Sequence, residues 1–182
     1  MLVLGIDPGL ATTGYGLVAD DGPDLSLIDC GVLVTPPALP LGQRLYALHR
    51  QLADLIERHR PEAVAVEELF FSRNARTAMI VGHARGVILL TIAERGIPAF
   101  EYTPLQVKDA IVGYGRASKS QIQKTLRVFL GMEDYPRPDD AADAVAVAIC
   151  HIHSARLASL LQDAGNTHRY CESPMPQAID RS

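Results

Sequence analysis

Cysteine is scarce in this sequence and irregularly spaced. The chain of 182 residues contains three cysteines, Cys30, Cys150 and Cys171, which lie far apart from one another. An odd number of distant cysteines argues against a disulfide framework, and no two of them have the spacing of a zinc site. His168 and Cys171 form an isolated HxxC in a polar segment. That pair alone is weak support for a metal site.

Long hydrophobic runs are also missing. Although 48% of the residues are hydrophobic, no uninterrupted apolar run reaches the roughly 20 residues of a membrane helix. The first seven residues, MLVLGID, have no basic segment and end in an acid, which is not typical of a signal peptide. We therefore expect a soluble, cytoplasmic protein, and the chain length suits one domain of ordinary size.

The chain has no overall excess of positive charge, because its formal net charge is −4. The charge is unevenly distributed, however. Residues 73–127 contain nine bases and three acids, whereas residues 1–72 contain ten acids and four bases and residues 128–182 eight acids and four bases. A polyanion responds to such a local basic face, since salt screens charges beyond about 8–10 Å. From charge alone, nucleic-acid binding and a merely solvated helix face are about equally supported.

Three apolar segments separated by Gly, Pro and Asp turn signals begin the chain and predict three consecutive strands. Helical and strand-like patterns alternate after them. We predict strands at 2–7, 13–19, 25–34, 62–68 and 97–102, and helices at 41–59, 74–95, 104–112, 119–130 and 139–157. This order predicts an α/β domain over residues 1–158, with a mixed five-stranded sheet that begins as an antiparallel meander and is flanked by helices. Residues 159–182 are predicted to be a polar, flexible tail.

Four acidic residues occur in segments that are otherwise predicted to belong to the hydrophobic core. Asp7 and Glu67 end two buried strands, and Asp140 and Asp143 share one face at the start of the last helix. Taken singly, each is best explained structurally, by a turn cap, by an arginine partner, or by a helix dipole that favours acids by about 0.3–1 kcal/mol. If the two strands are neighbours, however, two carboxylates about 4 Å apart repel by about 4 kcal/mol at an effective dielectric constant near 20. Together the four acids therefore require cations.

A ligand set made only of carboxylate oxygens selects Mg²⁺ or Mn²⁺ over zinc. Two such ions about 4 Å apart suit phosphoryl transfer, because one activates a water and both stabilise the charge of the transition state. In this interpretation the acids hold two Mg²⁺ ions, for which Mn²⁺ can substitute, and the surrounding bases hold phosphates.

Five segments resemble the RuvC family of Holliday-junction resolvases in order and spacing over about residues 2–155. They are LGIDPGLATTGYG, VAVEELFFSRNARTA, GHARGV, FEYTPLQVKDAIVGYGRASKSQIQ and DDAADAVAVAICH. The resemblance implies a ribonuclease-H-like fold and a homodimer that resolves four-way DNA junctions by symmetric nicks in recombination and repair. It also implies joint action with the RuvA and RuvB branch-migration proteins.

The resemblance further implies roles for individual residues. It assigns metal binding and catalysis to the four acids named above, junction binding to Lys108 and Lys119, and stacking on junction bases to Phe70. Lys108 and Lys119 are two of only three lysines in the chain.

Two aromatics and several arginines add candidate DNA contacts. Phe70 and Phe71 follow the strand that ends at Glu67, and stacking of an exposed aromatic on an unpaired base is worth about 1–3 kcal/mol. The alternative is that one or both close the core, and we expect Phe70 outside and Phe71 inside. Phosphate contacts are predicted for the arginines near these segments, Arg73, Arg76 and Arg116.

The helix at 74–95 has two equally supported interpretations. It is apolar around much of its surface, and Gly82 and Gly86 lie one turn apart in it. It is either the dimer contact or a central core helix.

Three rival functions remain open at this point. A sugar kinase or actin-like ATPase also begins with a strand, an acid and a Gly-Thr-rich hairpin, as in GIDPGLATTGYG, but needs two such domains where 182 residues supply one. A non-catalytic junction-binding protein needs the basic segment but not four acids. A nuclease of the same fold acting on RNA is the third, and the segment 108–119 favours junction DNA over it.

Overall fold

The computed structural model describes residues 1–68 and 75–169. Its strands and helices lie close to the positions predicted from the sequence. In chain order they are β1 (Leu2–Asp7), β2 (Thr12–Asp20), β3 (Leu25–Val34), α1 (Leu41–His59), β4 (Ala63–Glu67), α2 (Ala75–Glu94), β5 (Ala99–Tyr102), α3 (Pro104–Val112), α4 (Lys119–Phe129) and α5 (Asp139–Arg169).

The five strands form one mixed sheet in the order β3-β2-β1-β4-β5. The first three strands pair antiparallel as a meander. β4 then pairs parallel with β1 on one side and with β5 on the other. The predicted sheet and its initial meander are therefore confirmed, and β1 and β4 are direct neighbours.

Alternation of side chains along the strands divides the core into two layers, one on each face of the sheet. On one face, Val3 of β1 and Ala65 of β4 pack with α3, α4 and α5. On the other face, Leu4 and Val66 pack with α1 and α2. Since side chains two residues apart share a face, Asp7 belongs to the face of α5.

Helix α5 lies unusually close to the sheet because the strands beneath it carry glycine. A Cβ atom at Gly5 of β1 would lie 2.0 Å from the main-chain oxygen of Ala144, and one at Gly16 of β2 would lie 2.4 Å from the Cγ2 atom of Val145. We attribute the close approach mainly to these strand glycines. Small residues of α5 face the first of these glycines, since Ala144 and Ala148 lie nearest to Gly5.

Helix α5 is longer than predicted. It continues to Arg169, so the predicted end near residue 157 is wrong. Leu160 and Leu161 are strongly exposed on the added turns. Alanine, leucine and glutamine favour helix even without a core to pack on, which explains the extension as far as Gln162, whereas Gly165, Asn166 and Thr167 beyond it have low helix propensity. Residues 170–182 lie outside the described part, and the division of the chain at residue 158 stays a prediction.

Two helices are long and apolar enough to cross a membrane by length and composition alone, over Thr77–Glu94 in α2 and Asp139–Gln162 in α5. The search for uninterrupted apolar runs in the sequence did not single them out. Both helices contribute to the core, because Ile88, Ile92 and Ile149 are fully buried in the two layers. A core helix meets the same criteria, so this is weak support for a membrane span.

We predict that Gly5→Ala lowers the free energy of unfolding by at least about 2 kcal/mol, because the new methyl group must displace the backbone of α5. Gly42→Ala in α1 is the matched control, since a Cβ there meets no described atom within 4 Å. The control should leave stability unchanged or raise it by up to about 1 kcal/mol. Urea unfolding monitored by circular dichroism measures both. Equal effects of the two substitutions would contradict the close contact.

Candidate active site

Asp7 and Glu67 lie side by side at the carboxyl ends of two parallel neighbouring strands. Ile6 of β1 pairs with Val66 of β4, so the next residue of each strand is an acid. The two carboxyl groups hydrogen-bond to each other. The predicted adjacency of these two acids is therefore present in the fold.

The start of α5 brings Asp140 and Asp143 to the same end of the sheet. Gly14 of β2 lies opposite Asp7 in the strand register. A Cβ at Gly14 would lie 2.0 Å from the main-chain oxygen of Asp140. This glycine therefore lets the acidic start of α5 approach the strand that carries Asp7. All four predicted acids are brought together.

The electrostatics of this cluster disfavour the ionised carboxylates. Burial, followed by the charges of Asp143 and Asp140, raises the pKa of Asp7 to about 6, against a hydrogen bond from Glu67 and the charge of Lys119. Burial and the charge of Asp7 raise the pKa of Glu67 to about 8, against the positive charge of Lys108. The raised pKa values of Asp7 and Glu67 indicate a site that lacks positive charge.

A cleft of about 300 Å³ opens beside the acids and contains both predicted lysines. Lys108 reaches it from α3 and Lys119 from the first turn of α4, where Ser118 caps the helix. Glu67 and Asp143 line the same cleft. Apolar side chains complete the lining, namely Pro104, Val107, Ile122 and Ala146. The cleft therefore presents carboxylates and ammonium groups to one volume.

Lys119 forms the closest ion pair in this cleft. Its Nζ atom lies 3.0 Å from Oδ2 of Asp143 and 3.3 Å from Oδ2 of Asp139. Oδ1 of Asp139 accepts a hydrogen bond from Nε2 of Gln123 at 3.1 Å. Sequence reasoning missed Asp139 and Gln123 as members of the site. The available signals were the Asp139-Asp140 doublet and the spacing of four residues between Lys119 and Gln123 on one helix.

The donor chemistry fits a hard divalent cation, although the side chains are not preset around one. Within residues 1–68 and 75–169, no three Asp, Glu, His or Cys side chains surround a common point at metal-binding distance. Instead the carboxyl group of Asp7 shares a hydrogen bond with that of Glu67, and Asp143 forms an ion pair with Lys119. Four converging carboxylates with excess negative charge nevertheless match the oxygen preference of Mg²⁺ and Mn²⁺.

The remaining predicted DNA contacts are less well placed by the structure. Arg116 is exposed in the loop between α3 and α4. Arg76 lies in the first turn of α2, and its side chain is outside the described part, as are Phe70, Phe71 and Arg73. Their roles stay predictions.

The comparison with known families agrees with this geometry. The family model described as crossover junction endodeoxyribonuclease RuvC matches residues 3–151. The chain belongs to the RuvC family. Proteins named crossover junction endodeoxyribonuclease RuvC from Syntrophomonas wolfei and Pelotomaculum thermopropionicum are each 54% identical to it. The first match covers 90% of this chain and 95% of the relative, and the second covers 84% and 93%.

Solved structures place this RuvC-family chain in the same fold. Thermus thermophilus RuvC superposes with a TM-score of 0.82 at 40% identity, covering 87% of this chain and 97% of that one. The same protein in complex with a Holliday junction substrate superposes with a TM-score of 0.80 at 39% identity, covering 86% of this chain and 96% of that one. The predicted ribonuclease-H-like fold is confirmed, and membership of this family decides against the sugar-kinase and actin-like alternative.

The raised pKa values predict a pH-dependent loss of stability in the metal-free protein. The folded state keeps protons on Asp7 and Glu67 above their ordinary pKa values of 3.8 and 4.5. Their contribution to stability is therefore complete below about pH 4 and is lost as the pH rises through about 6 and 8. In the presence of a chelator, the free energy of unfolding of the Glu67→Gln variant should fall by about 2 kcal/mol less than that of the unaltered protein between about pH 5 and pH 9.

Chemical unfolding across that pH range checks this expectation. Glu57→Gln, at an exposed position of α1, is the matched control and should follow the unaltered protein. If the free energy of unfolding of the Glu67 variant depends on pH in the same way as that of the unaltered protein, the two carboxyl groups do not cause the loss of stability.

Proposed function

We propose that this RuvC-family protein is an endonuclease that resolves four-way DNA junctions by paired symmetric nicks, in homologous recombination and repair. The observation that carries the proposal is the convergence of four carboxylates beside a cleft lined by two lysines. Acids that hold divalent ions and bases that hold phosphates are what hydrolysis of a phosphodiester requires.

The four acids, Asp7, Glu67, Asp140 and Asp143, would hold the divalent ions, two Mg²⁺ per site with Mn²⁺ as a substitute. The ions supply an activated water and stabilise the charge of the phosphate. The strand ends of β1 and β4 fix two of the ligands, and the first two turns of α5 fix the other two. Because these elements belong to the core, the ligands reach the site with little freedom to lose on binding.

The basic residues at the cleft would bind the DNA backbone. Lys108 and Lys119 line the cleft that contains Glu67 and Asp143, so a phosphate bound to them lies next to the acids. Contacts with more distant phosphates are proposed for Arg73, Arg76 and Arg116, and stacking on a junction base for Phe70. Support for junction DNA comes from Thermus thermophilus RuvC, whose structure was solved with a Holliday junction substrate. RNA cleavage and binding without cleavage are the alternatives to be tested.

A homodimer through α2 would give the two active sites that paired nicks require. One face of α2 is core, with Ile88 and Ile92 fully buried. On the opposite face, Met79 and Leu90 are 64% and 57% exposed and lie eleven residues apart, which is three helical turns. Gly86 lies between them, and a Cβ there meets no described atom within 4 Å, so a second helix can approach closely. From the family resemblance we also propose that the protein is located in the cytoplasm and acts together with the RuvA and RuvB proteins.

We predict that Asp7→Asn abolishes cleavage and preserves binding. Loss of one metal-binding carboxylate should lower the rate of cleavage of a labelled synthetic four-way junction at least about 1000-fold. Binding measured in Ca²⁺ or chelator should stay within about threefold, since the variant removes a negative charge near the DNA.

Denaturing gels with Mg²⁺ and with chelator measure this cleavage, and duplex DNA and RNA are tested in parallel. Cleavage at the normal rate by the variant would remove Asp7 from the site. If the unaltered protein binds the junction without cutting it in Mg²⁺, the non-catalytic alternative is correct.

We also predict that Leu90→Glu converts the dimer to a monomer, because it buries a charge in the proposed contact between two α2 helices. Leu157→Glu on α5 is the matched control, since Leu157 is 59% exposed, almost the same as Leu90. Sedimentation velocity should give a dimer for the unaltered protein and the control. A monomeric unaltered protein, or a dimeric Leu90 variant, would contradict the assignment of the interface to α2.

A further inference from the structure

We propose that Asp139 is a positioning residue for Lys119. Its carboxylate holds the ammonium group of Lys119 when a divalent ion binds Asp143. Asp139 is a second anchor for the lysine and keeps its ammonium group at the rim of the cleft. The inference rests on the proposed function, because it takes Asp143 to be a ligand of the divalent ion.

Lys119 and a metal ion would compete for the negative charge of Asp143. The Nζ atom donates to Oδ2 of Asp143 at 3.0 Å. A divalent ion bound to the same carboxylate would lie close to this ammonium group, and the two cations would repel each other. Binding of the ion at Asp143 therefore favours movement of Lys119 away from that carboxylate.

Asp139 provides the place to which Lys119 moves. Its Oδ2 atom already lies 3.3 Å from the same Nζ, so the lysine bridges two carboxylates and needs only to shift toward one of them. Gln123 donates to the other oxygen of Asp139 at 3.1 Å and holds that carboxylate in position. Ion pairs between partly exposed groups are weak, so the exchange meets little resistance.

Asp139 stands outside the acid cluster itself. Its side chain is 61% exposed, and it is absent from the lining of the 300 Å³ cleft. The charges that raise the pKa of Asp7 are those of Asp143 and Asp140. Both oxygens of Asp139 are engaged by Lys119 and Gln123. We therefore assign it to the lysine and not to the metal.

A double-mutant cycle on metal affinity tests this assignment without DNA and without cleavage. The probe is Mn²⁺, with the free ion measured by electron paramagnetic resonance. Asp139→Asn should weaken Mn²⁺ binding roughly fivefold, because Lys119 then has only Asp143 as a partner. Lys119→Met should strengthen binding. In the Lys119→Met background, Asp139→Asn should change the affinity by less than about twofold.

The alternative is that Asp139 attracts the ion directly through space. In that case Asp139→Asn weakens binding equally in both backgrounds, which would overturn the proposal while leaving the metal site intact. Asp134→Asn removes the same charge from an aspartate paired with Arg137 and should not change Mn²⁺ affinity. If the unaltered protein binds no Mn²⁺, the proposed metal site itself fails and the inference fails with it.

Discussion

The close contact between α5 and the strands β1 and β2 is the constraint on which the rest of the site depends. Three strand glycines, Gly5, Gly14 and Gly16, leave space that the backbone of α5 fills. Without this contact, the first turn of the helix would stand off from the sheet and its two aspartates would lie away from Asp7. The same packing thus builds one half of the core and assembles the acids.

The assembled acids create an electrostatic imbalance that the surrounding elements only partly offset. The charges of Lys108 and Lys119 reach the cluster from α3 and α4 and act against the raised pKa values of Glu67 and Asp7. The site is therefore poised between internal compensation by ammonium groups and external compensation by divalent ions. A cluster that the protein could neutralise completely by itself would have little affinity for metal.

Most of the fold and the four acids could be predicted from the sequence, because each depends on local pattern. Strand ends mark Asp7 and Glu67, and helical spacing relates Asp140 to Asp143. The ion pair of Lys119 with Asp139 could not be predicted in this way, since the two residues are twenty positions apart on two helices whose packing angle is set by the core. The end of α5 was missed because its last turns are polar and contain Gly165, Asn166 and Thr167, residues of low helix propensity.

One consequence follows from the order of the elements along the chain. The acids come from three separate segments, and the last segment, α5, begins at Asp139. A ribosome that synthesises this protein therefore releases Asp140 and Asp143 well after Asp7 and Glu67. Until then the nascent polypeptide carries an incomplete set of these carboxylates, so the four-acid cluster forms only after α5 has emerged and packed on the sheet.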